Sequence, residues 1–398
     1  MPLKLNTPSG GSVTLTPVDT TSNVTVTIPS TAVTLAAAGA NTDITSLAGL
    51  TGTVSGPTTL TGATAGMAVT NVSSINGGQL AGFRNRIING GMRVAQRGGT
   101  ALLTGGIVYS AVDRMVVFQG ALAVISGQVT QVTRTARKFV GITGHSSTGV
   151  GEIYCTTRLE SSSVSDMSGK QVVVSARIYQ DSGVAQLFKL RLDKPTVLDN
   201  FGTTSIAAQS STVSVSSGVE TIIQWTTTLA STDADLGLQV YVTMVIAGSL
   251  TASNILVSDF QLELGSVATP FEQRPYGMEL ALCQRYYEER SNIGGSTGYM
   301  NLAWGAANTT SMGTFSLDFQ VKKRANVSVS YSALSDLAIL YNGTGSPTVA
   351  TSLSLFGSNT TTVEIQVGCA AILPLFSIVS LAANNNATTA KLMFSAEL

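Results

Sequence analysis

Histidine and cysteine, which carry much of catalysis and metal binding, are nearly missing from this chain of 398 residues: one histidine, three cysteines. Cys155, Cys283 and Cys369 lie far apart and are odd in number, which excludes a disulfide framework or a CxxC metal pair and leaves them as small buried apolar residues. The single His145 sits in the loop-like run GITGHSSTGVG. A general base there would need a nucleophile and an orienting acid that the spacing does not supply, so His145 reads as a solvated loop residue. No GxSxG elbow, HExxH, P-loop or EF-hand pattern occurs. The sequence therefore nominates no catalytic residue, no metal site and no cofactor.

Charge is scarce too. Charged residues make up 11 % of the chain, against about 25 % in ordinary globular proteins. Lys+Arg and Asp+Glu balance at 22 each, so no net charge draws the chain toward nucleic acid or anionic lipid. The one basic cluster, Arg84, Arg86, Arg93 and Arg97, could form a phosphate-binding strip, but ion pairs or hydrogen bonds to a neighbouring chain suit the neutral balance better. No apolar run approaches the roughly 20 residues of a membrane helix, and MPLKLNTPSG lacks the apolar stretch of a secretion signal. The expectation is assembly in a cytoplasm without membrane insertion.

What the chain does have is β pattern. Phe188, Leu190 and Leu192 alternate with Lys189, Arg191 and Asp193, and Leu236, Leu238, Val240, Val242, Met244 and Ile246 with Gly237, Gln239, Tyr241 and Thr243; Val172, Val174, Ala176 and Ile178 make a further strand. Ile223, Trp225 and Leu229 share one face, which makes Trp225 a core residue. Asp181-Ser182-Gly183 and Asp193-Lys194-Pro195 read as turns. Many short strands without intervening helices predict an antiparallel sandwich. A second series follows, with Phe315, Leu317 and Phe319, then Val327 to Tyr331, Val363 to Cys369 and Leu392 to Leu398. The chain is thus all-β, in two β domains.

Between the two series lies DFQLELGSVATPFEQRPYGMELALCQRYYEER, Asp259 to Arg290. Phe260, Leu262 and Leu264 alternate as in a half-buried strand; Gly265, Pro270 and Pro275 impose an extended connector. Met278, Leu282 and Tyr286 then recur at helical spacing, with Glu279 near the helix start, where a carboxylate favours the dipole. These three are the residues expected at a domain or subunit contact.

This run resembles a segment of tail-fibre and related structural proteins of tailed bacteriophages, in which a jelly roll closes on a strand of the type QLE.G..ATPFE.RP and leads into a helix of the type EL..CQRYY. Asn85 to Gly98, NRIINGGMRVAQRG, with Val112, Asp113 and Arg114, resembles the opening of the same domain. Gly11 to Leu50 resembles N-terminal fibre segments. The resemblance implies an extended N-terminal attachment segment and thin shaft (1–82), a carbohydrate-binding-like jelly roll (83–275), a connector helix (276–292) and a C-terminal β domain (293–398). It implies a homotrimer in a virion, joined to other virion proteins through the N-terminal segment. Binding to a bacterial surface glycan is the first functional expectation. A purely structural fibre or decoration subunit is the second, and a polysaccharide depolymerase the third.

A depolymerase needs two carboxylates about 5–10 Å apart; Asp233 with Asp235 and Glu160 with Asp166 are the pairs the sequence offers, though acidic residues in turns are ordinarily solvated. Sugar recognition stacks aromatic faces on sugars beside amides. Tyr299, Asn301 and Trp304, in GGSTGYMNLAWG, supply that mixture and are the candidate ligand-binding residues. Packing inside the C-terminal domain is the alternative for Trp304.

Overall fold

The computed structural model describes residues 3–6 and 12–15 and, from Phe83 onward, all residues but 104–108, 110, 121–122, 293–297, 342–346, 371 and 386. Leu3–Asn6 (β1) pairs antiparallel with Ser12–Leu15 (β2), Leu3 opposite Leu15. The rest of the proposed N-terminal fibre segment lies outside the described residues.

From Phe83 the alternation becomes a sandwich. Its strands are Ala101–Leu102 (β3), Val116–Gly120 (β4), Ala123–Arg134 (β5), Arg137–Thr148 (β6), Gly151–Leu159 (β7), Gln171–Gln180 (β8), Gln186–Val197 (β9), Asn200–Gln209 (β10), Val213–Val215 (β11), Thr221–Thr228 (β12), Leu238–Ile246 (β13) and Leu250–Leu264 (β14). One sheet has the order β10-β9-β13-β7-β4, with β11 beside β9, and the other β12-β8-β14-β6-β5-β3. All pairings are antiparallel, giving a jelly-roll-type sandwich. Phe188, Leu190, Leu192, Val240 and Val242 from one sheet bury against Val174, Ile178, Val257, Phe260 and Leu262 from the other. Trp225 is half-buried and packs on this core. Asp193-Lys194-Pro195 is not a turn but part of β9. Past Asp193 the register with β13 ends and β10 alone pairs there, an edge position that tolerates proline.

A one-turn helix, Ser161–Val164 (α1), links β7 to β8, and a longer one, Tyr276–Gln284 (α2), follows the sandwich. The second is shorter than the 276–292 expected. Tyr287–Ser291 (β15) is instead a strand, paired along its whole length with the end of the chain; the β-sheet partner, more than a hundred residues away, overrides the helical spacing. The remaining strands are Asn301–Thr309 (β16), Met312–Asp318 (β17), Ser328–Tyr331 (β18), Leu337–Tyr341 (β19), Thr348–Ser358 (β20), Thr362–Cys369 (β21), Ile378–Ala383 (β22) and Lys391–Ser395 (β23). β16-β17-β21-β20-β19-β22 close into a six-stranded barrel, and β15-β23-β18 form a small sheet beside it. Closure removes free sheet edges. Phe315, Ile365, Val367 and Leu381 fill the barrel core, and Leu392 and Phe394 of β23 join the same cluster.

Two of the motif stretches, that around Asn85 and that from Asp259 to Glu279, meet here and lock together. Phe260 and Leu262 face the core as expected, but Gln261 and Glu263, between them, are 0 % and 2 % exposed. The connector folds back over them. Glu263 accepts the Thr269 N–H at 2.8 Å and the Thr269 hydroxyl at 2.7 Å, while the Glu272 N–H donates to Gln261 Oε1 at 2.9 Å. From the other side, Asn85 donates to the Phe260 carbonyl at 3.0 Å and accepts the Leu262 N–H at 3.1 Å. Arg274 donates to the carbonyls of Asn85 and Ile87 and pairs with Glu279 at 3.2 Å, and Glu279 also accepts the Asn89 N–H. The motif residues therefore act as a clasp that satisfies buried backbone groups.

Candidate functional site

The outer face of the sheet β12-β8-β14-β6 carries an open groove. One part, of about 540 Å³, is lined by Ser175, Arg177, Ile222, Gln224, Asp259 and Arg137, with a wall formed by Ala268 to Phe271 and Gln273 of the connector. A second part, of about 390 Å³, adjoins it through Arg137, Asp259, Phe271 and Gln273 and extends to Arg93 and Lys138. Strand alternation places these side chains: Val174, Ala176 and Ile178 point into the core, so Ser175 and Arg177 point out. Gln224 and Ile222 stand outward on the neighbouring strand in register with them, Ile222 opposite Arg177 and Gln224 opposite Ser175.

The floor is pinned by charge. Asp259 accepts Arg177 Nε at 2.8 Å and Arg137 Nη1 at 2.9 Å on the same oxygen. Arg177 also approaches Glu220 at 3.6 Å, and Glu220 pairs with Arg134 at 3.1 Å. The Arg134 guanidinium stacks 3.7 Å over the Tyr179 ring. Three residues of the groove adopt positive φ without being glycine: Thr135 (46°), Ala136 (63°) and Asp259 (45°). Thr135 and Ala136 form the two-residue turn between β5 and β6, where positive φ at both positions matches the strand twist. Such conformations cost of order 1–3 kcal/mol each and collect at functional surfaces. The result is a rigid, polar floor with an apolar patch at Ile222 and Phe271, an arrangement that can hydrogen-bond and stack without covalent chemistry.

The residues singled out from sequence lie elsewhere. Tyr299, Asn301 and Trp304 are exposed on and before β16, Trp304 at 58 %. Trp304 is thus outside the barrel, opposite Ser316 and Ser380 on the flanking strands, and does not pack within the domain. Just past α2, Tyr286 is buried under the Arg114 guanidinium, 3.6 Å from its ring, while on the helix itself Leu282 is half-buried and Met278 is 44 % exposed. The helix buries Glu279 and Cys283 instead: its inner face is turned by one residue from the apolar reading because Glu279 is drawn into the clasp.

His145 is not a solvated loop residue. It is fully buried on β6, its Nε2 lies 3.0 Å from Ser147 Oγ, and burial pushes its pKa below the usual 6.5. The carboxylates considered for catalysis are engaged in structure: Asp233 with Lys194 at 2.7 Å, Asp235 with the Ser168 hydroxyl at 2.6 Å, Asp166 with Arg86 at 2.7 Å, and Glu160 with Arg285 at 2.9 Å and Arg324 at 3.0 Å. Two of the four clustered arginines pair within the chain, Arg86 with Asp166 and Arg97 with Glu397 at 2.9 Å. All three cysteines are buried, and none is in a disulfide. Among the described residues no cluster of His, Cys, Asp or Glu could hold a metal ion, and no helix is long and apolar enough to cross a membrane.

The sequence reading missed the groove. Its signal was present in RTARK, Arg134 to Lys138, and in Arg177, a charge inside an otherwise apolar run; neither is informative until Asp259 is brought beside them from over 80 residues away.

No protein-family model matches the chain, and no curated protein matches its sequence. Solved structures similar to it include carbohydrate-binding modules. A module of family 4 shares 15 % identity at a TM-score of 0.27, over 44 % of this chain and 97 % of its own. A family 22 module of Clostridium thermocellum shares 14 % at 0.28, over 42 % and 98 %. A family 11 module from the same organism, solved with a β-1,3-1,4-mixed-linked tetrasaccharide, shares 12 % at 0.26, over 43 % and 98 %. At such scores the sandwich is defined by its own strand pairing.

Proposed function

We propose that this chain is a non-catalytic, glycan-binding structural protein of a tailed-bacteriophage virion, of the tail-fibre type. The observation that carries the binding half is the groove on the outer sheet face: open, floored by guanidinium and carboxylate groups held in ion pairs beside the amide of Gln224, with apolar contacts at Ile222 and Phe271. Pre-fixed polar groups beside apolar patches are what sugar recognition requires, since ordering them costs nothing further on binding. The virion half is supported by the three motif pieces in fibre order. In this reading the N-terminal segment attaches the chain to other virion proteins, three copies associate, and assembly takes place in the host cytoplasm.

The test is binding of the purified chain to host cells and to a panel of bacterial polysaccharides, beside Gln224→Ala and Ile222→Asp. Both side chains are exposed, so the variants should melt like the parent while binding falls at least tenfold. Unaltered binding in both variants would remove the groove from the account. Reducing-sugar release from the same polysaccharides would establish the depolymerase reading in its place. Trp304→Ala, measured in parallel, reports on the barrel surface.

A further inference from the structure

The groove concentrates charge that the chain as a whole does not have. Lys+Arg equal Asp+Glu over the full sequence, yet the groove is lined by Arg93, Arg137, Lys138 and Arg177 against the single carboxylate of Asp259. The neighbouring charges do not redress this. None of the neighbouring carboxylates lines it: Glu220 pairs with Arg134, Glu272 and Glu279 share Arg274 behind the connector, and Glu263 is buried there under Thr269. One carboxylate oxygen holds two guanidiniums in place, and a guanidinium has five N–H donors. Arg137 gives one of them to Asp259 and is 47 % exposed. Arg93 is exposed, with one N–H on the Arg274 carbonyl at 3.3 Å. Lys138 donates to the exposed Thr133 hydroxyl at 2.7 Å.

A neutral sugar gains little from such a surplus and must displace the water that solvates it. A glycan bearing an oxyanion gains charge-assisted, fork-shaped hydrogen bonds to fixed arginines. We infer that the groove selects acidic glycans, those whose sugars carry carboxylate or phosphate groups. This deepens the glycan-binding reading and rests on it.

The experiment compares polymers that differ only in charge: polygalacturonate with its methyl ester, hyaluronate with its methyl ester, and dextran phosphate with dextran. Binding of the full chain is measured by calorimetry. The expected result is at least tenfold tighter binding to an acidic member of a pair, the uronates and the phosphate ester distinguishing carboxylate from phosphate as the source. Binding should weaken as NaCl is raised from about 0.1 to about 1 M, which shortens the screening length from roughly 10 to roughly 3 Å. Arg137→Gln and Lys138→Gln should each reduce it severalfold and flatten the salt dependence; Lys138 takes no part in the ion pairs of the floor, so its variant stays informative if Arg137→Gln unfolds. Equal or tighter binding of the neutral members overturns the inference and leaves the glycan reading standing. Loss of binding to every polymer, with host-cell binding unaffected by Lys138→Gln, overturns both at this groove.

Discussion

At Gly90 an added Cβ would lie 2.1 Å from the carbonyl oxygen of Phe260, the atom that Asn85 holds at 3.0 Å. Neither partner can yield without opening the clasp. Gly90→Ala should therefore cost about 3 kcal/mol or more, read as a lowered midpoint in urea, and a wild-type midpoint would show that the approach of these two backbones is not needed. Gly91, whose Cβ would meet side chains alone, the Phe271 ring at 3.3 Å and Arg93 Cγ at 3.8 Å, is the milder control. His145 makes a second residue-scale prediction. Burial lowers its folded pKa below the unfolded value of 6.5, so the unfolded state binds the extra proton first. Stability is then lost as pH falls below about 6.5, down to the folded pKa. His145→Gln should remove that component, so its melting temperature should fall less than the parent's between pH 7 and pH 5. Parallel curves would mean that His145 protonates in place. The residue was misread because a run of glycine and serine looks like a loop; β6 is a strand because β5 and β14 flank it, and β14 is over a hundred residues distant.

Among the elements, strands were the legible part and the polar interior was not. β8, β9, β13 and β21 lie where Val, Leu and Ile alternate, since period 2 is a local property of the chain. The burial of Gln261 and Glu263 is not local. It depends on the connector returning over β14 and on Asn85 arriving from some 175 residues away, and alternation alone would leave both in water. α2 fails for a related reason: an apolar stripe at Met278, Leu282 and Tyr286 competes with a carboxylate whose partners lie off the helix. The two faces can be told apart by experiment. Glu279→Ala leaves Arg274, 4 % exposed, without its 3.2 Å partner, and should destabilise by about 3 kcal/mol. Met278→Asp, on the exposed side, should change the melt of a single chain by less than about 0.5 kcal/mol. If sister copies cover that side, the same substitution lowers the mass seen by light scattering; a lower melt for Met278→Asp without a change in mass would contradict the orientation of the helix.

On the scale of the whole molecule, two apolar cores, one in the sandwich and one in the barrel, are joined by polar contacts. Glu397 pairs with Arg114 and Arg97 of the sandwich; Arg158 donates to the Leu398 carbonyl; Glu160 holds Arg285 and Arg324. Arg114 is 1 % exposed and also covers the Tyr286 ring. A buried charge keeps its place only while paired, and removal of one partner typically costs about 3–5 kcal/mol. The two cores should therefore unfold together in the parent and come apart when this contact is cut. The chain supplies its own reporters: Trp225 packs on the sandwich core and Trp304 stands on the barrel. With Trp304→Phe or Trp225→Phe leaving one tryptophan in each sample, the fluorescence melts of the two halves should coincide. Adding Glu397→Ala should separate them, because Arg114 and the docked end of β23 lose their shared anchor while the strand pairings inside each half persist. Coincident melts in the presence of Glu397→Ala would show that β15, bound to β23 along its length, couples the cores without the ion pair.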